Sequence, residues 1–192
     1  MDKILLSCIL IIGVVNMAFG SEITKLKELI DQGVVSHHKG AQGDKKAVKE
    51  AERLFKKALL IEPENPEILA WYGSVLTMKG RDALSPISKL RYVDQGIETM
   101  DETCKNAPDN ITVRMVRAGN SLGLPCFFGR LDFAISDSEY LLKLREKSPE
   151  SFSDEILSQI YRNLGTAYQR KGEKKKAMEI LEKATKLSLE SK

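Results

Sequence analysis

The chain has 192 residues, enough for one domain or one short repeat array, and 42% apolar with 30% charged residues is the composition of a packed globular protein rather than a disordered one. Thirty Lys and Arg against 27 Asp and Glu leave a net charge of +3, too balanced for the concentrated basic face of a nucleic-acid binder. The basic run "GEKKKA" reads as a solvated helix start, so no nucleic-acid partner is expected.

The first 20 residues read as an export signal. Lys3 precedes an apolar stretch from Ile4 to Val15, and the small residues Ala18 and Gly20 precede Ser21 as at a signal-peptidase site. The apolar run is shorter than the ~20 residues a membrane-spanning helix needs, so a membrane enters only through an uncleaved signal. A lipoprotein signal ending at Cys8 is the weaker reading, because few apolar residues precede it. The mature chain, 21–192, is therefore expected to be periplasmic or secreted, where Cys104 and Cys126 would meet an oxidising environment.

Ile23, Leu26 and Ile30 begin a helical stripe, but "DQGVVSHHKGAQGD" is rich in Gly and predicts an interruption. His37 and His38, adjacent and therefore divergent on a helix, are expected to be a solvated pair beside that turn. Ala51, Phe55 and Ala58, followed by Pro63, mark the next helix. Leu69, Tyr72, Gly73 and Leu76 share one face of a third, with Gly80 at its turn. Gly96, Met100, Thr103 and Pro108 repeat the spacing of Ala51, Phe55, Ala58 and Pro63. Before them the stretch "DALSPISKLRY" forms either an extended loop or a longer helix. Ile111, Met115, Ala118 and Leu122 line a fifth helix that Pro125 ends or kinks, and Leu131, Ala134, Ile135, Leu141 and Leu142 line a sixth. Tyr161, Leu164, Gly165 and Tyr168 fall at i, i+3, i+4 and i+7 of a seventh; after Lys171-Gly172, Ala177, Leu181 and Ala184 line an eighth. Gly73 to Gly80 and Gly165 to Gly172 are both seven residues, so the pattern recurs.

This pattern resembles the tetratricopeptide repeat, W-x2-L-G-x2-Y and then A-x3-F over about 34 residues. In the last repeat Tyr161 stands in the Trp place and Leu181 in the Phe place, and both keep an apolar plug. The second repeat departs further, since Gly73 to Gly96 exceeds Gly165 to Ala177 by eleven residues. The resemblance implies an all-α fold, a short right-handed superhelical solenoid of about four helix-turn-helix pairs near 22–63, 66–108, 110–147 and 154–190. It also implies a concave binding face.

No Gly-rich phosphate loop, C-x-x-C or H-E-x-x-H occurs, and the carboxylates are dispersed beside Lys. We therefore expect no enzyme, no metal site and no cofactor. The resemblance implies that residues off the packing stripe of each first helix line the groove. These are Gln159, Arg162, Thr166, Gln169 and Arg170 in the last repeat. In the second they are Glu67, Ala70, Ser74, Thr77 and Met78, and in the third Val113, Val116, Arg117 and Asn120. Arg forks bind carboxylates bidentately and Asn or Gln can hold a peptide backbone, so a protein or peptide partner is expected, through an acidic segment or a chain terminus. The other reading of the same residues is a solvated helix face.

Two alternatives to an exported adaptor stand beside it. One is a periplasmic component binding a small anionic ligand for an envelope transport system, in a closed pocket around Arg117 and Arg162. The other is a self-assembling scaffold, in which Leu181, Leu187 and Leu189 of the last helix meet another copy. Trp71 is expected to pack against a neighbouring helix, with contact to a partner as its other use. Phe127 and Phe128 sit in a corner punctuated by Gly123, Pro125 and Gly129, and are expected to plug space rather than present a patch. Cys104 and Cys126 fall at opposite ends of an antiparallel pair, roughly 17 Å apart along the helix, against the ~7 Å between Cα atoms that a disulfide spans. They are not expected to pair.

Overall fold

The computed structural model describes residues 2–190, with side chains from 22 to 189. The expected export signal at 1–20 lies outside the described side chains. Among the described residues the fold is all-α, and no helix is long and apolar enough to cross a membrane. Eight helices form four hairpins. They are α1 (Asp2–Ala41) with α2 (Lys45–Ile61), α3 (Pro66–Asp82) with α4 (Pro86–Asn106), α5 (Ile111–Gly123) with α6 (Leu131–Lys147), and α7 (Asp154–Lys171) with α8 (Lys174–Glu190).

Local chemistry sets the helix ends. Asp44, Asn65, Ser85, Asn110 and Ser153 occupy N-cap positions, and each side chain accepts a hydrogen bond from a backbone N–H of the first turn. Pro66 and Pro86 open α3 and α4, where a missing N–H costs nothing. Gly172 ends α7 with φ at +88°, a left-handed conformation that glycine adopts without a Cβ penalty.

Each helix packs chiefly on its hairpin partner. The first helices of the pairs, α1, α3, α5 and α7, also touch in succession and form an inner layer. The core follows the stripes. Phe55, Ile68, Val75 and Ala58 are fully buried between the first two hairpins, and Met100, Cys104, Ala70 and Val113 between the second and third. Leu141, Leu157 and Ile160 close the C-terminal part. Helix α8 leaves Met178 and Leu189 exposed.

Close approach within the second hairpin uses the two glycines that share its repeat register. A Cβ on Gly96 would lie 2.4 Å from the Gly73 carbonyl oxygen, so the backbones of α3 and α4 meet with nothing between them. In the last hairpin the equivalent Gly165 lies against the Leu181 side chain, where a Cβ would stand 2.7 Å from it. The inserted stretch of the second hairpin is a short turn at 83–85 and then helix from Pro86. It forms the first turns of the 21-residue α4 and leaves Leu84 and Ile87 in solvent.

Three expectations fail here. The Gly-rich segment after Asp31 does not interrupt α1, which continues to Ala41. Gly33 and Gly40 are contact positions instead: a Cβ on Gly33 would lie 2.7 Å from the Phe55 ring, and one on Gly40 2.8 Å from Val48. His37 is consequently not a solvated residue; it is buried on the inner layer, while His38 is exposed. Nor do Phe127 and Phe128 plug the corner. They lie on a single 3-10 turn, Cys126–Phe128, with Phe127 78% exposed and the two ring centroids 4.4 Å apart. Cys104 is buried and Cys126 exposed, and both are free thiols.

Candidate functional site

The inner layer encloses a cleft of about 1090 Å³. Helix α1 contributes His37 and His38 to it, and α3 contributes Trp71, Ser74, Thr77 and Met78. Helix α5 contributes Ile111, Met115, Val116 and Asn120, and α7 contributes Ile156, Gln159 and Asn163. The mouth is rimmed by Lys89, Leu90 and Val93 of α4 on one side and by Leu124, Pro125, Phe127 and Phe128 on the other. Helical spacing explains the lining of α5: Thr112, Met115, Val116, Gly119, Asn120 and Gly123 recur at three- and four-residue steps and so share one face.

The polar floor of the cleft is largely self-satisfied. The His37 ring Nε2 lies 2.8 Å from Ser74 Oγ. Asn120 Nδ2 donates to Ser74 Oγ at 3.1 Å and to Thr77 Oγ1 at 2.6 Å, and the Thr77 hydroxyl donates to the Ser74 carbonyl at 2.8 Å. Gln159 Nε2 donates to Asn163 Oδ1 at 2.9 Å. His37 Nδ1 and Asn120 Oδ1 are left without partners among the described residues. Burial, reinforced by the neighbouring His38, pushes the His37 imidazole down from 6.5 to about 4, so it is neutral at physiological pH. Trp71 packs edge-on against His37 at 4.7 Å and parallel to Phe55 at 6.5 Å, while also facing the cleft. The expected packing against neighbouring helices is thus present.

Of the residues read from the sequence as a binding face, the structure brings Trp71, Ser74, Thr77, Met78, Val116, Asn120 and Gln159 to the cleft, while Glu67 and Ala70 are not among its lining. Arg117 is elsewhere. Its Nε and Nη2 donate to Asp137 at 2.8 and 2.7 Å, and Nη1 to Asp101 at 3.1 Å, in a buried network shared with Arg114 and Arg130. Burial works against its charge, but Asp137 holds the guanidinium further up than its ordinary value. The reason is phase. Val116 and Asn120 face the cleft, whereas Val113 and Arg117 face the other helices, although a stripe drawn on α5 alone joins all four.

Arg162 leans toward α8, donating to Ser158 Oγ at 2.6 Å and Ser188 Oγ at 3.3 Å. Arg170 donates to the Leu122 carbonyl, satisfying the end of α5. Thr166 and Gln169 lie beyond the last lining residue of α7. A pocket built on Arg117 and Arg162 is therefore not formed. Ile111 and Met115, read as packing residues, line the cleft, and Val113, read as groove-facing, is fully buried.

The missed lining residues fall into two groups. His37 was legible had Leu26, Gly33 and Gly40, seven apart, been read as one small-residue stripe of a continuing helix. The rim at Lys89, Leu90, Phe127 and Phe128 had no local signal, because two separate turns build it. Among the described residues no group of three His, Cys, Asp or Glu is placed to hold a metal ion.

Comparison with known proteins agrees with this architecture at its C-terminal end. The profile of the tetratricopeptide repeat matches residues 158–190, which lie in the α7–α8 hairpin. No curated protein matches the chain. Solved structures that match include a chain titled "MamA MSR-1 C2", 21% identical, covering 82% of this chain and 78% of that one with a TM-score of 0.48. A mutant MamA chain is 19% identical, covering 82% and 98% with a TM-score of 0.27. The chain thus carries a tetratricopeptide repeat in its last hairpin, with three further helical hairpins stacked before it.

Proposed function

We propose that this protein is a non-enzymatic adaptor that holds a segment of another protein in its concave cleft. The observation that carries this is the cleft itself. At about 1090 Å³ it runs across all four inner helices, as a groove for a chain segment does. Its apolar mouth includes the solvent-facing Phe127 ring, as expected of an interaction surface rather than of a core. The N-terminal segment supports placing this activity outside the cytoplasm, and the N-terminal mass of the exported protein tests that part.

Gly119 gives a clean test of the cleft. It lies on the lining of α5, and a Cβ there meets no atom within 4 Å, so Gly119→Phe fills the cleft without a clash at its base. In a cross-linked pull-down from envelope extract, wild type should capture a protein that Gly119→Phe fails to capture. Equal capture by both would move binding off the cleft.

A further inference from the structure

We infer that the cleft takes an amphipathic α-helix of a partner protein, apolar on the face that enters and acidic on the flank that meets α4. This rests on the cleft being the binding site and adds the chemistry of its occupant.

The argument starts from what the cleft offers to a backbone. An extended segment brings an N–H and a C=O at every residue, and each must find a partner on being buried. Here Ser74, Thr77, Gln159 and Asn163 already bond to neighbours, and the two unpartnered atoms, His37 Nδ1 and Asn120 Oδ1, are shielded from solvent. Thr112 and the Asn163 amide nitrogen are the few lining groups left open, too few to pair a peptide ladder residue by residue. A helix satisfies its own backbone and needs only a surface for its side chains.

The walls supply that surface. Trp71, Met78, Met115, Ile156, Leu90 and Phe127 present apolar groups to the cleft. The two methionines are unbranched and adapt to an incoming side chain.

Charge decides the flank. Two formally charged side chains line the cleft, Arg81 and Lys89, and no carboxylate does so. Arg81 is paired with Asp82 and also donates to the Gly40 carbonyl. Lys89 is exposed and has no ion-pair partner among the described residues, so a carboxylate of the occupant would complete it. The cationic side thus complements an acidic helix flank and opposes a basic one.

The test selects peptides from a random display library on the wild-type protein, with counter-selection against Gly119→Phe. Leads are then titrated by fluorescence polarisation, with the emission of the single Trp, Trp71, as a second readout. The expected consensus has apolar residues at i, i+3, i+4 and i+7 with an excess of Asp and Glu. A central Pro in the lead, or Lys89→Glu in the protein, should weaken binding at least ~10-fold. A consensus of alternating period, or a lead indifferent to Pro and to Lys89→Glu, overturns the helix while leaving the cleft as the binding site. A second copy of the chain in the cleft, seen as self-association that Gly119→Phe abolishes, also overturns it. Failure to recover any peptide that discriminates wild type from Gly119→Phe overturns both readings.

Discussion

His37 is the residue whose charge the fold most clearly controls. A buried imidazole held at about 4 against an ordinary 6.5 binds fewer protons in the native state than in the unfolded one across that window. Stability from this group is therefore complete above pH 6.5 and is lost as the pH falls toward 4. Between pH 7 and 4.5 the loss amounts to ~2 kcal/mol. His37→Gln should flatten the difference in urea unfolding free energy between those two pH values by about that amount. An unchanged slope would mean that the imidazole is not buried neutral. Little of this was legible in the sequence, where an adjacent His pair beside Gly reads as solvated; burial depends on α1 continuing and on α3 covering it. The same limit applies to Arg117, whose role depends on Asp101 and Asp137, residues 16 and 20 positions away.

At the scale of elements, the period of the stripes was the dependable signal. Ala51, Phe55 and Ala58 are all fully buried, and so are Ala118, Met100 and Leu164 or nearly so, because a one-sided helix has one way to hide its apolar face. Glycine was the ambiguous letter. Gly73 and Gly96 mark contact between two backbones, Gly33 and Gly40 of α1 make room for the Phe55 and Val48 side chains of α2, and Gly119 faces open space. The structure predicts opposite effects for one substitution. Gly96→Ala puts a methyl 2.4 Å from the Gly73 carbonyl and should cost ~1–3 kcal/mol by forcing α3 from α4. Gly119→Ala meets nothing and should stabilise by ~0.5–1 kcal/mol through helix propensity. Denaturant midpoints of the two variants, moving apart in these directions, would check both positions.

For the whole molecule the question is what joins one hairpin to the next. Between the second and third, the apolar contact of Met100, Cys104 and Val113 is flanked by the network in which Asp101 of α4 and Asp137 of α6 hold Arg114, Arg117 and Arg130. Arg114 also lies over the Tyr140 ring at 3.6 Å, and Arg130 over Phe133 at the same distance. Asp137 is fully buried, so Asp137→Ala leaves two guanidinium groups short of their counter-charge and should destabilise by ~3–5 kcal/mol. Asp137 of α6 holds Arg114 and Arg117 of α5, so the loss falls first within the third hairpin, and unfolding of the variant should separate into two transitions. A single transition at an unchanged midpoint would show that these ion pairs do not hold the third hairpin together.

By itself the sequence determined which residues each helix hides, where most helices begin and end, and that the helices come in pairs, because caps, prolines and apolar period all act within a few turns of chain. The tertiary structure decided which of the remaining faces looks inward. That choice turns on the angle at which each helix is set against its neighbours, and on residues such as Lys89 and Phe127 that come together only when two distant turns meet at one rim. Helical phase is a local property, but a shared cavity is the sum of four phases, and no single segment carries it.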